Sequence, residues 1–342
     1  MDDRKQKILW AIVQDYIATA EPVGSRTIAR KYRLGVSPAT IRNEMADLEE
    51  QGYLEQPHTS AGRIPSQKGY RYYVDHLMQP AVLSNEEKRM IRASYEAKVD
   101  GIAQVIKLTG NILSQLTSYA SLVVSAADGA GKIRHVQLIR LGPGKAMLLV
   151  VLEPGRVRHR TVPIPENISD EDLKTISEVF NAKIKGYHTA DIKKTLMREL
   201  YAELIKHKSL VNTVLDLLQE SEKKKEERIY LGGLVNMLSQ PEFSNVEKVK
   251  TLMSLLEQEN FCYELLDGDC GGRLSVRIGE EINRKDIRDC SIVSTRYEVD
   301  GQSSGSLAVL GPTRMDYAKV VAVIEYLTEN LSTVLNKLYR SK

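Results

Sequence analysis

The sequence predicts a multidomain α+β protein, because helical and strand-like patterns occupy separate stretches of the chain. In the first 50 residues, apolar residues recur every three or four positions, as in amphipathic helices. Three β-like runs lie within residues 134–164, and three more lie within residues 273–311. A length of 342 residues allows two or three domains, and the hydrophobic content of 42% is typical of globular proteins.

The first two predicted helices are separated by a short break. Helix 1 covers residues 3–20, where the apolar residues form one stripe. Pro22 and Gly24 interrupt the pattern, and we expect Ser25 to cap a second helix that stops at Gly35.

The stretch "LGVSPATIRNEM" predicts the start of a third helix. Ser37 is a good N-cap, and Pro38 suits the first helical position because its missing N–H is not needed there. Gly52 offers the left-handed residue that ends a helix. The inward face carries Ile41, Met45 and Leu48, and the outward face carries Ala39, Thr40, Arg42 and Asn43.

A hairpin is predicted after helix 3. "YLEQ" is a short extended run, and "PHTSAGRIP" is a loop in which glycine offers a positive φ at the tip, close to Arg63. Ser66 is expected to cap a fourth helix, and a domain boundary is expected near Pro80.

The remainder of the chain alternates between helices and strands. We expect helices over residues 85–118, a strand at "SLVVSAA", an antiparallel meander turning at "GPG" and "PG", and helices over residues 169–223. From Ile229 we expect two helices, three strands and a last helix over residues 313–338. Because a strand precedes the meander, the predicted domains are 1–80, then 81–130 together with 229–342, with 131–228 inserted between them.

Three helices and a hairpin in the first 76 residues make a winged helix-turn-helix, whose third helix presents its N-terminal residues to the major groove of DNA. The net charge of +3 is nearly neutral, but residues 22–43 hold five basic residues and no acid, and residues 56–74 hold three and none. We therefore expect base reading by Thr40, Arg42 and Asn43. Phosphate or wing contacts are expected from Arg26, Arg30, Lys31, Ser37, Arg63 and Lys68.

Other function classes find little support in the residues. Cys262, Cys270 and Cys290 have neither disulfide nor zinc spacing, which favours a reducing cytoplasm, and no signal peptide or membrane span is expected. The histidines are dispersed, no catalytic or metal motif appears, and "GPGK" is interpreted as a hairpin turn rather than a phosphate loop. We expect no cofactor, no metal and no enzyme activity.

Three stretches resemble the HrcA family of heat-inducible transcription repressors. They are "PVGSRTIARKYRLGVSPATIRNEMADLEEQGYLEQPHTSAGRIPSQKGYRYYVD", "YLGGLVNMLSQPEF" and "LGPTRMDYAKVVAVIEYL". The resemblance implies a winged-helix domain, a GAF-like domain and a dimerising domain inserted into it. It also implies a homodimer on an inverted-repeat operator upstream of chaperone operons, release on heat shock, and activity maintained by the chaperonin GroEL.

Two alternatives stay open at this point. One is a ligand-responsive regulator that binds a metabolite in the GAF-like domain, since fold alone does not decide function. The other is an enzyme with an appended DNA-binding domain. For the dimer surface we favour the meander, because "KAMLLVVLE" is apolar on both faces, although a strand buried within a monomer has the same pattern. "GPTRMDY" is compatible with a contact between GAF-like domains, a hinge or the start of the last helix.

Overall fold

The computed structural model describes residues 1–59, 61–96, 101–125, 132–152, 156–187, 228–266, 274–299 and 302–340, together with residues 199, 200, 202–204, 210–212 and 214. Contacts divide the chain into two compact units, Met1–Val124 with Ile229–Asn336, and Ser125–Arg228 with Lys337–Lys342. Helices and antiparallel sheets occur together, so the chain has a mixed α+β fold. The finer division into three domains stays a prediction.

The N-terminal segment, residues 1–77, consists of helices and one short hairpin. In chain order its elements are α1 (Asp3–Thr19), α2 (Ser25–Tyr32), α3 (Pro38–Glu50), β1 (Leu54–Glu55), β2 (Ile64–Pro65), α4 (Gln67–Tyr72) and a π-helical turn (Tyr73–Leu77). β1 and β2 pair antiparallel.

Local capping signals set most of these boundaries. Ser37 Oγ accepts from the Thr40 amide at 3.1 Å, and Pro38 is the first residue of α3, as the sequence predicts. Gly52 adopts a φ of +77°, and Ser66 Oγ accepts from the Gly69 amide at 3.0 Å.

The boundaries of α2 differ from the prediction. Ser25 is already helical, and Gly24 takes the N-cap position without a side-chain bond. The helix ends at Tyr32, and its C-cap Arg33 adopts a left-handed φ of 47° two residues before the predicted stop at Gly35. Gly35 has a positive φ as well, so a left-handed residue ends the helix but at an earlier position.

A single apolar core holds the helices of the N-terminal segment together. α1 contributes a buried stripe that contacts α2, α3 and α4. Fully buried side chains of this core are Ile8, Leu9, Ile12, Val13, Ile28, Ile41 and Leu48. Burying one such side chain contributes about 1.5–3 kcal/mol, so this core fixes the mutual orientation of the helices.

The hairpin is anchored differently from the prediction. Gly62 does not have a positive φ; its backbone lies against Val23, where an added Cβ would be 2.5 Å from both the carbonyl carbon and oxygen. Val23 and Arg63 exchange two backbone hydrogen bonds of 2.9 Å. Glycine is needed here for close approach, and Arg63 stands at the base of the hairpin rather than at its tip.

The next part of the chain contains α5 (Asn85–Glu96), α6 (Ile102–Thr117) and β3 (Ala120–Ser125). A capping box precedes α5, since Ser84 and Glu87 each accept from the other's amide.

The second unit contains a three-stranded antiparallel meander backed by a helix. β4 (Ile133–Gly142), β5 (Lys145–Leu152) and β6 (Arg156–Pro163) are in the order β4-β5-β6, and α7 (Asp170–Ile184) packs on β4. Residues 143 and 144 form the hairpin turn expected at "GPG", with a φ of +68° at Gly144. Beyond residue 187, most of the residues predicted to be helical up to residue 223 lie outside the described part of the chain.

The remaining elements complete a five-stranded sheet in the first unit. They are β7 (Arg228–Gly232), α8 (Leu234–Leu238), α9 (Val246–Leu256), α10 (Glu259–Leu266), β8 (Leu274–Ile278), β9 (Cys290–Val299), β10 (Gln302–Pro312) and α11 (Tyr317–Arg340). The strand order is β7-β3-β10-β9-β8, and β9 pairs antiparallel with β8 and β10. A core that includes Leu122, Leu252, Phe261, Ile292 and Leu310 fills the space between one face of this sheet and α9 and α10.

Two predictions in this part are wrong. Residues 228–232 form an edge strand rather than a helix, because Gly233, at a φ of +66°, separates them from the short α8. The last helix begins at Tyr317 and not at Thr313; Asp316 accepts from the Lys319 amide at 3.0 Å and starts the helix there. Cys270 and residues 222–227 of the charged run "EKKKEER" lie outside the described residues.

The close contact at Gly62 gives a stability prediction. We expect Gly62→Ala to lower the free energy of unfolding by about 1–3 kcal/mol, because the new methyl group forces the hairpin away from Val23. Gly142→Ala is the control, since no atom lies within 4 Å of its added Cβ. The urea midpoints of both variants test this, and equal midpoints would contradict it.

Candidate nucleic-acid interface

The exposed face of α3 is formed as the sequence predicts. Ile41, Met45 and Leu48 are at most 4% exposed and turn this side of the helix inward. Arg42 and Asn43 are exposed, and within the described part of the chain neither side chain makes a hydrogen bond or an ion pair. Their side chains therefore lie at the surface with unused donors and acceptors of the kind that pair with base edges.

Thr40 and Ser37 are already engaged with each other. Their hydroxyl oxygens lie 2.9 Å apart, in addition to the bond from the Thr40 amide to Ser37 Oγ. This arrangement fixes the first turn of α3, while each hydroxyl keeps further hydrogen-bonding capacity.

Two acidic residues of α3, Glu44 and Asp47, are paired with basic residues of α1. Lys5 Nζ lies 3.0 Å from Glu44 Oε2 and 3.1 Å from Asp47 Oδ2, and Arg4 Nη1 lies 3.3 Å from Glu44 Oε1. The hydrogen bonds that Lys5 donates to Glu44 and Asp47 raise the pKa of Lys5, although burial acts against this. The carboxylates thus bind to the protein itself, which reduces the repulsion that DNA phosphates would meet at α3.

The basic residues of α2 fall into two groups. Arg26 and Arg30 are exposed and, within the described part of the chain, make no ion pair. Lys31 Nζ instead lies 2.5 Å from Oδ1 of Asp15, a buried carboxylate that is 4% exposed, and this bond raises the pKa of Lys31. Lys31 therefore has a structural partner, whereas Arg26 and Arg30 extend into solvent.

The two basic residues assigned to the hairpin region also have partners. Arg63 Nε donates to Glu49 Oε2 at 2.7 Å, which ties the base of the hairpin to the end of α3. Lys68 Nζ donates to the Gln51 carbonyl at 2.8 Å and lies 4.5 Å from the ring centroid of Tyr53. A cation at this position stabilises the C-terminal end of α3.

The loop of the hairpin is ordered by Gln56. Its Nε2 donates to the carbonyls of Thr59 and Ala61, both at 3.0 Å. Pro57, His58 and Thr59 are exposed, so the described part of this loop presents uncharged groups or a histidine rather than Arg63.

Sequence reasoning missed several charged residues that position this surface. Arg4 and Lys5 brace α3, and Arg71, counted among the basic residues, donates to Glu281 and to the Val276 carbonyl. Arg314 is 8% exposed and reaches the end of α1. Arg4 and Lys5 could have been noticed as basic residues at the start of helix 1. No local sequence pattern indicates the contacts of Arg71 and Arg314.

The described residues offer little to other chemistries. None of their histidine, cysteine, aspartate and glutamate side chains form a group of three that could hold a metal ion. Cys262 and Cys290 are buried, and burial raises the pKa of the Cys290 thiol to about 12. No described helix has the length and apolar content needed to cross a membrane.

Comparison with known proteins gives a consistent result along the whole chain. Residues 103–321 match the model of the HrcA protein C terminal domain. A heat-inducible transcription repressor HrcA from Desulforudis audaxviator is 59% identical over 342 residues, covering 99% of this chain and 99% of that protein. A protein with the same name from Pelotomaculum thermopropionicum is 56% identical, covering 99% and 98%. A solved structure described as a hypothetical protein shares 27% identity with a TM-score of 0.60, and the match covers 98% of both chains.

The difference between Arg30 and Lys31 gives a second stability prediction. We expect Lys31→Met to lower the free energy of unfolding by about 1–3 kcal/mol, because the buried Asp15 carboxylate loses its cation. Arg30→Met removes an exposed cation from the same helix, and we expect a change within about 0.5 kcal/mol. Thermal unfolding of the two variants compares them directly; an equal loss in both would disprove the structural role of Lys31.

Proposed function

Since the chain belongs to the HrcA family of heat-inducible transcription repressors, we propose that it binds an inverted-repeat operator upstream of chaperone operons as a homodimer and represses them. In this proposal heat shock abolishes binding, and the chaperonin GroEL maintains the active form. No cofactor and no catalytic residue takes part.

The observation that carries the proposal is the exposed N-terminal half of α3. Arg42 and Asn43 lie next to each other at the surface, and Glu44, the acid that follows them directly, is bound by Arg4 and Lys5. Arg42 can donate two hydrogen bonds to guanine O6 and N7, and Asn43 can pair in the same way with adenine N6 and N7. Thr40 is the third proposed base-reading residue, and Ser37 is proposed to contact the phosphate backbone.

Exposed cations around α3 would supply affinity that is independent of sequence. Arg26 and Arg30 extend into solvent from α2 and are proposed to meet phosphates. Three further cations already have partners within the protein: Lys31 binds Asp15, Arg63 binds Glu49, and Lys68 binds the Gln51 carbonyl. Their proposed contacts with phosphate are therefore the weaker part of the proposal.

The proposed domains follow from this role. Residues 1–80 are proposed as a winged helix-turn-helix, residues 81–130 and 229–342 as a GAF-like domain, and residues 131–228 as an inserted dimerising domain. A dimer is required because one winged helix reads too few base pairs, whereas two-fold symmetry doubles the contacts and sets the half-site spacing.

The meander of the second unit is the proposed dimer surface. Ala146, Leu148 and Val150 of β5 are buried, on the face that belongs to the core of this unit. On the opposite face Ile139 pairs with Met147 across the sheet, and Val157 pairs with Val151. Ile139 is 41% exposed and Val157 is 53% exposed, which leaves an apolar face for a second copy to cover.

The base-reading role is tested by comparing Arg42 with Arg26. The probe is a fluorescein-labelled duplex carrying the proposed inverted-repeat operator of the chaperonin operon, beside a duplex with one half-site scrambled. We expect Arg42→Ala to remove the preference for the intact repeat, a loss of about 1–3 kcal/mol for each guanine contact. Fluorescence anisotropy over a salt series measures both affinities.

Arg26→Ala is the matched control on the neighbouring helix. We expect it to weaken binding to both duplexes equally and to reduce the slope of log affinity against log salt by about one, as for a lost phosphate contact. If wild-type protein binds the intact and scrambled duplexes alike, the proposed sequence-specific repressor is wrong.

The dimer surface has a separate test. We expect Ile139→Glu to weaken dimerisation at least about tenfold, because a charge in an apolar interface is desolvated without a partner. Val82→Glu is the control, since Val82 is 90% exposed and lies outside the meander. Sedimentation velocity over a concentration series measures the dissociation constants, and an unchanged dimer for Ile139→Glu would exclude this face.

A further inference from the structure

Arg314 connects three parts of the first unit that are far apart in the sequence. It lies in the turn between β10 and α11, and its guanidinium is held on one side by Glu242 Oε1 at 2.5 Å and Gln240 Oε1 at 3.0 Å. Its Nη1 donates to the carbonyl of Ile17 at 3.0 Å. The residue is 8% exposed, so this contact is largely shielded from solvent.

The acceptor on α1 is one that the helix cannot satisfy by itself. Ile17 lies in the last turn of α1, where carbonyls lack an intrahelical amide partner and the helix dipole is negative. No basic residue occurs in that last turn, so Arg314 provides the cation from 297 positions away. A lysine ammonium has no planar fork to bridge Glu242, Gln240 and Ile17 in the same way.

The surroundings of Arg314 make the contact specific in geometry. Oε2 of Glu242 and the hydroxyl of Tyr70 are both buried without a hydrogen-bond partner among the described residues. Tyr70 stacks at a tilt on Tyr317, with ring centroids 5.9 Å apart. Unsatisfied buried polar groups are costly, so the cluster of Arg314, Glu242 and Tyr70 adds little stability. Its main effect is to specify one arrangement of the chain segments that carry these residues.

The N-terminal segment is also held at a second point. Arg71 of α4 donates to Glu281 and, at 2.6 Å, to the Val276 carbonyl of β8, while Gln67 Oε1 accepts from the Glu280 amide at 2.9 Å. With contacts at two separate points, the segment is restrained from tilting about either one. Loss of the contact at Ile17 would remove one of these two points and make a tilt about the contacts at α4 easier.

We propose that Arg314 is a positioning residue: by binding the C-terminal end of α1, it fixes the exposed face of α3 relative to the five-stranded sheet and so selects the half-site spacing that a dimer can bind. This inference rests on the proposed function. α1 is a rigid connection between the two sites, since Arg4 and Lys5 at its other end hold Glu44 of α3.

The length of α1 makes α3 sensitive to small changes at Ile17. Its 17 residues span about 25 Å. A tilt of about 10° at one end moves the other end by about 4 Å, which exceeds the rise of about 3.4 Å per base pair. Without Arg314, α3 of each subunit would therefore sample positions that match operators whose half-sites are one base pair closer together or farther apart.

The experiment measures binding of full-length protein to labelled duplexes in which the two half-sites of the chaperonin-operon repeat are separated by the native spacing or by one or two base pairs more or fewer. A duplex with a single half-site is measured at low salt. For Arg314→Met we expect at least tenfold weaker binding at the native spacing, a flattened spacing profile, and less than about twofold change on the single half-site. Arg296→Met is the control, since Arg296 is exposed on β9.

Amide hydrogen exchange separates positioning from misfolding. We expect Arg314→Met to speed exchange at residues 17–20 and 240–244 and to leave the amides of α3 as protected as in wild type. Lost protection in α3, or equal weakening on the single half-site, would overturn the inference, because Arg314 would then merely support folding.

An unchanged spacing profile in Arg314→Met would also overturn it. If wild-type protein binds neither repeat nor half-site, the proposed function fails first and this inference fails with it. If the wild-type protein prefers one spacing and Arg314→Met prefers it equally strongly, the inference is refuted and the proposed function still stands.

Discussion

The packing of α1 against α3 is the contact on which the N-terminal segment depends. Ile8, Leu9, Ile12 and Val13 place α1 in the middle of the core, where it contacts α2, α3, α4 and the hairpin strand β2. Because Ile41 of α3 is also fully buried, α3 can present only its opposite side to solvent. The exposure of Arg42 and Asn43 is thus a consequence of apolar burial beneath them.

The same pair of helices explains how a nearly neutral chain can present a local basic surface. Acids that would oppose DNA are paired with cations of the same segment, Glu44 with Arg4 and Lys5, and Glu49 with Arg63. The arginines left without an acidic partner in this described region include Arg26, Arg30 and Arg42. Surface ion pairs of this kind add little stability, so their main effect here is on the distribution of charge.

Features with local causes were predictable from the sequence. The start of α3 follows from Ser37 and Pro38, and the meander follows from successive β-like runs, the first two of which are separated by a glycine turn. The edge strand β7 was not predictable in this way, because its five residues, the last of which is the first glycine of a pair, have no periodicity that distinguishes strand from helix. The exposed face of α3 was therefore predictable, whereas the partners of Lys31 and Arg63 depend on tertiary packing.

The cluster around Arg314 is the clearest case of a feature without a local signal, because 297 positions separate Arg314 from Ile17. It also differs in kind from the apolar core. Burying a guanidinium and a carboxylate costs much of what their attraction returns, so replacing such a pair by apolar residues is often neutral for stability. Apolar contacts, however, tolerate sliding, whereas three hydrogen bonds from one planar group require a single geometry. The apolar core therefore keeps the N-terminal segment folded, and the polar cluster determines where the folded segment sits on the sheet.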